Sequence, residues 1–292
     1  SGSRRFPDSD QSDRKAGIDM AATIKKLIGT LFAVAAFVAV AGPSALAGDT
    51  KPVGVVELFT SQGCSSCPPA DAVLGELSKQ GNLVALSYHV DYWNYLGWED
   101  TFSSKQSTDR QYEYARTLGR KSVYTPQVII NGRDHINGAD KQGINNKVSA
   151  FDKSGRGLTV PVEAVMDGDK IRINIGAGDG KADVILVYFD RENAVDVKRG
   201  ENGGRKLVYW NSVRDVQTVA MWEGQAVELD LPVSVMSGKG YDGCAVLLQT
   251  MRSDGVPGAI VGAGVVMNRK SSSIASLVGS HMATQRTPES LK

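Results

Sequence analysis

The chain has 292 residues, with 33 Lys and Arg against 32 Asp and Glu and a hydrophobic fraction of 41%, which is typical of a globular protein with enough chain for two domains. The near-neutral charge provides no broad basic surface for phosphates, so a dedicated nucleic-acid-binding protein is excluded. Three cysteines are too few for a fold held together by a framework of disulfides.

Residues 20–47 have the pattern of a secretory signal peptide. Lys25 and Lys26 precede an uncharged apolar run over residues 27–41, and small residues follow up to Ala47. The run is about 15 residues long, shorter than the roughly 20 that span a bilayer, so we expect no permanent membrane anchor. The sequence therefore predicts cleavage after Ala47 and a periplasmic or secreted protein.

The two ends of the chain lie outside the predicted fold. Residues 1–19 are polar and precede a complete signal, so we interpret them as an extension or a cloning remnant. Residues 270–292 are polar with little apolar periodicity, which is typical of a flexible tail.

Residues 48–154 alternate between strand and helix patterns. Apolar β-branched runs predict strands, and helical spacing of apolar residues ending at glycines predicts helices. The Asn131-Gly132 pair is a strong signal for a hairpin turn. The predicted elements are strand 53–60, helix 68–80, strand 83–90, helix 102–118, strands 126–130 and 134–136, and helix 139–151. This order predicts an α/β domain.

Residues 155–269 have a different pattern, with short alternating runs separated by turn signals such as Asp167-Gly168. Eight strands without helices favour an antiparallel all-β, sandwich-like domain. The predicted strands are 158–164, 170–175, 182–190, 205–210, 217–222, 226–231, 244–250 and 259–266. We place the domain boundary at residues 153–157, where Lys, Ser, Gly and Arg cluster.

Cys64 and Cys67 form a Cys-x-x-Cys pair between the first strand and the first helix. Unpaired N–H groups and the dipole at a helix N-terminus lower the pKa of a cysteine placed there, so Cys64 is the predicted nucleophile. Cys67 lies one turn further on the same face and is predicted to resolve a mixed disulfide with a substrate. A static structural disulfide is the alternative.

The element order, the cysteine pair and Thr125-Pro126 before the hairpin together resemble the thioredoxin superfamily, and residues 124–132 resemble the matching stretch of glutaredoxins. More narrowly, residues 57–71 and 88–93 resemble a family of secreted bacterial proteins of unknown function that join a thioredoxin-like half to a β-rich half. The expected fold is thus a thioredoxin-like domain followed by an all-β domain. We expect no cofactor other than a redox-active disulfide.

The resemblance also implies roles for three further residues. In the thioredoxin superfamily the proline is cis and the residue before it pairs with the substrate backbone, so Pro126 is expected to be cis and Thr125 to face Cys64. Glu57 matches the buried acid that accepts the proton of the resolving thiol. The alternatives are a trans proline that begins a strand and a solvated glutamate at a strand rim.

Aromatic residues cluster after the second strand. The functional interpretation is a wall beside the cysteines, with Tyr92 and Trp93 contacting an extended polypeptide substrate. The alternative is an insertion that packs its own small core. The aromatic residues are Tyr88, Tyr92, Trp93, Tyr95, Trp98 and Phe102. Cys244, within an apolar strand, is expected to be a buried and inert thiol.

The leading hypothesis is an exported thiol-disulfide oxidoreductase that acts on exported proteins with thiols or disulfides and is reset by a separate redox partner. A second hypothesis is a secreted copper-handling protein, in which Cys64, Cys67 and His89 bind Cu(I). A third is a binding module, in which the β-rich domain captures a partner and the cysteines only fasten the helix.

Overall fold

The computed structural model describes residues 51–268, and these residues belong to one compact unit. The predictions for residues 1–19, for the signal peptide at 20–47 and for the tail at 270–292 lie outside the described residues.

The first part of the described chain has the predicted order of elements. The bounds are β1 Gly54–Thr60, α1 Pro68–Gln80, β2 Leu83–His89, a 3-10 helix Asn94–Leu96, α2 Lys105–Thr117, β3 Gln127–Ile130, β4 Asp134–Asn137 and α3 Lys141–Lys153. Helix α2 begins later than predicted because Ser104 acts as its N-cap, its side chain accepting a hydrogen bond from the Ser107 N–H.

The second part is built mainly of strands. The bounds are β5 Val162–Asp167, β6 Lys170–Ile175, β7 Ala182–Asp196, β8 Lys206–Trp222, β9 Val227–Pro232, a four-residue helix α4 Ser234–Ser237, β10 Gly243–Met251 and β11 Pro257–Met267. The strands predicted at 205–210 and 217–222 are one strand, β8, since β7 pairs with it from Ala182 to Asp196. Asn211, at a positive φ of 47°, lies within this strand.

The strands form one eight-stranded sheet, in the order β11-β10-β7-β8-β2-β1-β3-β4, and one three-stranded sheet, β5-β6-β9. Strands on both sides of the predicted boundary at 153–157 therefore join the same large sheet. The link between them is narrow, because β2 and β8 share the single parallel pair Ser87 and Ser212. The structure is a mixed α/β fold with a large sheet and few helices.

The two faces of the large sheet bury separate cores. On β1, Val56 and Leu58 pack with residues of α1 and α3, whereas Val55 and Phe59 face the core that contains Tyr114 of α2. Side chains alternate between faces along a strand, so Glu57 belongs to the face of Val55 and Phe59. The small sheet packs on β7, β10 and β11 through a third core that includes Ile173, Leu186 and Val246.

Candidate functional site

Cys64 and Cys67 form a disulfide in the loop between β1 and α1, with their Cα atoms 5.4 Å apart. The Cys67 N–H donates to the Cys64 carbonyl at 3.2 Å, which closes a turn. Helix α1 begins at Pro68 with Cys67 as its N-cap, because prolines fit the first positions of a helix, where no N–H partner is needed. The prediction that Cys64 lies at the helix N-terminus is therefore wrong by one turn.

The disulfide lies just below the surface of the protein. Cys64 is 1% exposed and Cys67 is fully buried, while Ser65 and Ser66 between them are exposed. A reacting partner would approach from the side of these two serines.

Thr125 and Pro126 lie beside Cys64, as expected. The Thr125–Pro126 peptide bond is cis, and the Thr125 hydroxyl donates to Cys64 Sγ at 3.2 Å. Trp93 Nε1–H in turn donates to Thr125 Oγ1 at 2.9 Å. The structure thus brings together Cys64, Thr125, Pro126 and Trp93, which the sequence places far apart.

The aromatic residues after β2 cover the cysteine loop. The Trp98 indole N–H donates to Gln62 Oε1 at 2.8 Å, so this segment is bonded directly to the loop. Tyr92 contacts Trp93: the two ring centroids lie 6.1 Å apart, and the Tyr92 hydroxyl donates to Gln111 Oε1. Burial raises the pKa of Tyr92 to about 12. Tyr95 is 79% exposed.

The turn between β7 and β8, residues 197–205, also covers the cysteine loop, and sequence reasoning gave it no role. We call it the hairpin tip. The fully buried Asn202 side chain donates through Nδ2 to the carbonyls of Gln62, at 3.0 Å, and Cys64, at 2.9 Å. Glu201 accepts a hydrogen bond from the Ser65 N–H at 3.2 Å. The only hint in the sequence was that Asn202 stands among glycines in a predicted turn between two strands.

Glu57 is buried, but its partners are not the cysteines. Arg110 Nε donates to Glu57 Oε1 at 2.8 Å, and the Tyr114 hydroxyl donates to Oε2. Arg110 Nη2 also donates to Gln249 Oε1 on β10 at 2.9 Å. These bonds place Glu57 on the sheet face opposite α1. Within residues 51–268 it forms no hydrogen bond with Cys64 or Cys67.

Asp71 is a second buried carboxylate and was not predicted as a site residue. Its backbone N–H donates to the Cys67 carbonyl at 3.1 Å, and its Oδ1 accepts from the Thr60 hydroxyl at 2.7 Å. Its Oδ2 is buried and has no hydrogen-bond partner in the described chain. Burial raises the pKa of Asp71 to about 7, opposed by the Thr60 bond and by His89. An acid four residues after Cys67 was the available sequence signal.

His89 is fully buried, and its Nδ1 lies 2.8 Å from Asp100 Oδ2. Burial alone would raise the pKa of Asp100, but His89 and the N–H groups of Gln62 and Phe102 outweigh it and lower the pKa. The His89 ring is 4.6 Å from that of Tyr209 on β8.

His89 belongs to a buried polar cluster on the α1 side of the sheet. We call this cluster the polar chamber. Each of its members has a buried side-chain atom without a hydrogen-bond partner in the part of the chain that the structure describes. The members are Asp71, Ser87, His89, Tyr209 and Ser212. Buried polar groups without a hydrogen-bond partner are rare in proteins.

The side chains that the second hypothesis assigns to a copper site have other bonds in this structure. His89 is bonded to Asp100, and the two sulfurs are bonded to each other. Among the described residues, no group of three His, Cys, Asp or Glu side chains is placed to hold a metal ion.

Cys244 is buried, which raises the pKa of its thiol to about 12. No helix within residues 51–268 is long and apolar enough to span a membrane.

The fold and site define an α/β protein with a disulfide beside a cis-proline. The chain belongs to the family described as proteins of unknown function, DUF1223, whose model matches residues 55–249. It is similar to a protein from Agrobacterium tumefaciens whose X-ray crystal structure was determined by a structural genomics consortium. The two are 55% identical with a TM-score of 0.71, and the match covers 76% of this chain and 97% of that one. The comparison with curated proteins gives no significant match.

Proposed function

We propose that the protein is an exported thiol-disulfide oxidoreductase that acts on protein disulfides through Cys64 and Cys67. The observation that carries this proposal is the Cys64–Cys67 disulfide lying against Thr125 and the cis-Pro126. A cysteine pair that only fastened a helix would need neither neighbour. Export rests on the signal peptide predicted at residues 20–47.

The topology of the first part supports a thioredoxin-like domain. Strand β1 is parallel to β2 and antiparallel to β3, and β3 is antiparallel to β4, which gives the order β2-β1-β3-β4. The cysteine loop follows the carboxyl end of β1, the edge at which open α/β sheets place their sites. The strands of the second part extend this sheet, and the hairpin tip between two of them contacts the cysteine loop.

The proposed reaction transfers two electrons. In the reduced protein the Cys64 thiolate attacks one sulfur of a substrate disulfide, which forms a mixed disulfide and releases the other substrate sulfur as a thiolate. The Cys67 thiolate then attacks Cys64 Sγ, which releases the second substrate thiol. The substrate disulfide is reduced and the Cys64–Cys67 disulfide re-forms. The same steps in reverse oxidise a dithiol substrate.

Asp71, in place of Glu57, is positioned to accept the proton of Cys67. Residues four apart on a helix share one face, so Asp71 and Cys67 lie on the same side of the start of α1, and the Asp71 N–H donates to the Cys67 carbonyl at 3.1 Å. Its free Oδ2 and a pKa near 7 suit proton exchange at neutral pH. Glu57, held by Arg110 and Tyr114, keeps the sheet face opposite α1 in place.

Thr125, Pro126, Tyr92 and Trp93 are the proposed substrate contacts. The exposed Ser65 and Ser66 mark the side of approach, and the Trp93–Thr125 bond lies over Cys64. A substrate chain must displace this cover, since Cys64 is 1% exposed.

Mixed-disulfide trapping tests the proposal. In Cys67→Ser the covalent intermediate with Cys64 cannot be resolved, so the variant should accumulate mixed disulfides with other exported proteins. Cys64→Ser is the matched control and should trap none. Equal, minimal trapping by both variants, with a wild-type disulfide that resists reduction, would show a structural disulfide.

A further inference from the structure

The narrow contact between β2 and β8 leaves a cleft in the large sheet. The strands pair at Ser87 and Ser212 alone, so the edge of β2 from Leu83 to Leu86 has no strand partner there. Asn211 bridges part of the gap, with Nδ2 donating to the Ala85 carbonyl at 2.8 Å. The cleft that results has a volume of about 1020 Å³.

The walls of this cleft are mainly apolar and come from both sheets. Residues from β5, β7, β8 and β11 line it opposite the β2 edge, among them Val162, Ala164, Phe189, Trp210, Val265 and Met267. No residue of the cysteine loop lines it, so the cleft is separate from the candidate redox site. A volume of this size and an apolar lining are typical of sites for small ligands.

Three cations lie around the cleft without ion pairs among the described residues: Lys51, Lys79 and Arg191. Lys79 Nζ lies 4.0 Å from the centroid of the Trp210 ring. Arg191, on β7, is the third of these cations and also lines the cleft.

The two carboxylates in the lining do not cancel this charge. Glu228 lies 3.5 Å from Arg172, which is outside the cleft, and Glu163 is exposed at the rim. The cleft therefore combines apolar walls with a lining that has more cations than carboxylates, and one of these cations, Lys79, lies against Trp210.

We propose that this cleft binds a single-chain amphipathic carboxylate, with its apolar chain along the walls and its head group at the unpaired cations of the lining, Lys79 and Arg191. This inference goes beyond the proposed redox function and does not depend on it. The volume of the cleft is that of a small-ligand site, so the proposed occupant is one free carboxylate chain and not a two-chain phospholipid. Gly75 has no Cβ to displace Trp210, because a Cβ there would lie 2.6 Å from the ring.

Titration of the full chain with decanoate, followed by calorimetry and by tryptophan fluorescence, tests this site. We expect saturable binding of decanoate and at least tenfold weaker binding of decyltrimethylammonium, because the two share a chain and differ in charge. Lengthening the carboxylate by one methylene should tighten binding about fourfold while the chain fits the cleft. A ten-carbon lysophosphatidylglycerol should bind more weakly than decanoate.

The double variant Lys79→Gln/Arg191→Gln should weaken decanoate binding at least tenfold and leave decanol binding unchanged. The matched control is Lys105→Gln/Arg252→Gln, which removes the same charges from exposed positions outside the cleft and should bind as the wild type does. Equal binding of the carboxylate and the ammonium, tighter binding of the lysolipid, or no effect of the double variant would each overturn the proposal.

Discussion

Two buried carboxylates, Glu57 and Asp71, lie on opposite faces of the same part of the sheet and have opposite surroundings. Both oxygens of Glu57 accept hydrogen bonds, from Arg110 and from Tyr114. Asp71 has one bond, from Thr60, and a second oxygen with no partner in the described chain. Burial raises the pKa of Asp71 to about 7, because the Thr60 bond and His89 offset only part of the effect of burial.

Glu57 is a carboxylate that holds the fold, whereas Asp71 is one that can exchange a proton. A buried charge with a complete set of partners fixes its neighbours, and removing a partner leaves it uncompensated. A buried carboxylate with an incomplete set changes its protonation near neutral pH, which is the property that proton transfer requires. Glu57, the acid that the family resemblance implies, has a complete set of partners and is therefore a carboxylate that fixes its neighbours.

Breaking the Glu57 network should have the largest effect. Arg110→Ala leaves the Glu57 carboxylate buried without its cation, so we expect a loss of about 3–5 kcal/mol in the free energy of unfolding. Chemical denaturation at pH 7 measures it. Arg116→Ala, on the same helix and 64% exposed, is the control and should cost less than about 1 kcal/mol. Equal losses of unfolding free energy in Arg110→Ala and Arg116→Ala would contradict the role of Glu57 in holding the fold.

Asp71→Asn should change the pH dependence of stability. Burial raises the pKa of Asp71 from an ordinary value of 3.8 to about 7 in the folded state, so the folded state keeps this proton to a higher pH than the unfolded state does. The contribution of Asp71 to stability is therefore greatest below about pH 4 and is lost as the pH rises toward and through 7, which lowers the free energy of unfolding by up to about 4 kcal/mol. Asp71→Asn with the Cys64–Cys67 disulfide intact should lack this decrease in the free energy of unfolding.

Denaturation of the oxidised wild type, Asp71→Asn and Glu76→Gln at several values between pH 4 and pH 8 measures this difference. Glu76 is exposed on the same helix and Lys141 lowers its pKa, so its variant should keep the wild-type decrease in stability between pH 5 and pH 7. Parallel stability curves for wild type and Asp71→Asn would contradict the raised pKa.

Asn202→Ala should destabilise the cysteine loop, because two of its carbonyls would lose their hydrogen bonds from Asn202. It removes the donor to the Gln62 and Cys64 carbonyls, which should cost about 1–3 kcal/mol. Because these bonds hold the cysteine loop, the equilibrium between the Cys64–Cys67 disulfide and dithiothreitol should shift as well. Asn193→Ala, on β7 away from the loop, is the control for the redox shift. A loss of stability without any redox shift would limit the hairpin tip to a structural role.

The local patterns could be predicted from the sequence, and the long-range partners could not. The strand before the cysteines, the helix after them and the position of Thr125-Pro126 follow from apolar periodicity, proline and glycine positions and motif likeness. The partners of Glu57 could not be predicted, because Arg110 and Tyr114 lie 53 and 57 residues away in the chain. Asn202 was missed because strand patterns do not indicate which loop a hairpin turn contacts.

Trp93→Phe should have the smallest effect and tests the cover over Cys64. The substitution keeps an aromatic ring but removes the indole N–H that donates to Thr125 Oγ1 at 2.9 Å, a bond worth about 0.5–1.5 kcal/mol. If this bond holds Thr125 against Cys64, weakening the cover should speed reduction of the disulfide by dithiothreitol severalfold, with little change in melting temperature. Tyr95→Phe is the control, because Tyr95 is 79% exposed and its variant should react at the wild-type rate. Reduction at the wild-type rate in Trp93→Phe would show that reductant reaches Cys64 by another side, and Trp93 would lose its proposed place in the substrate groove.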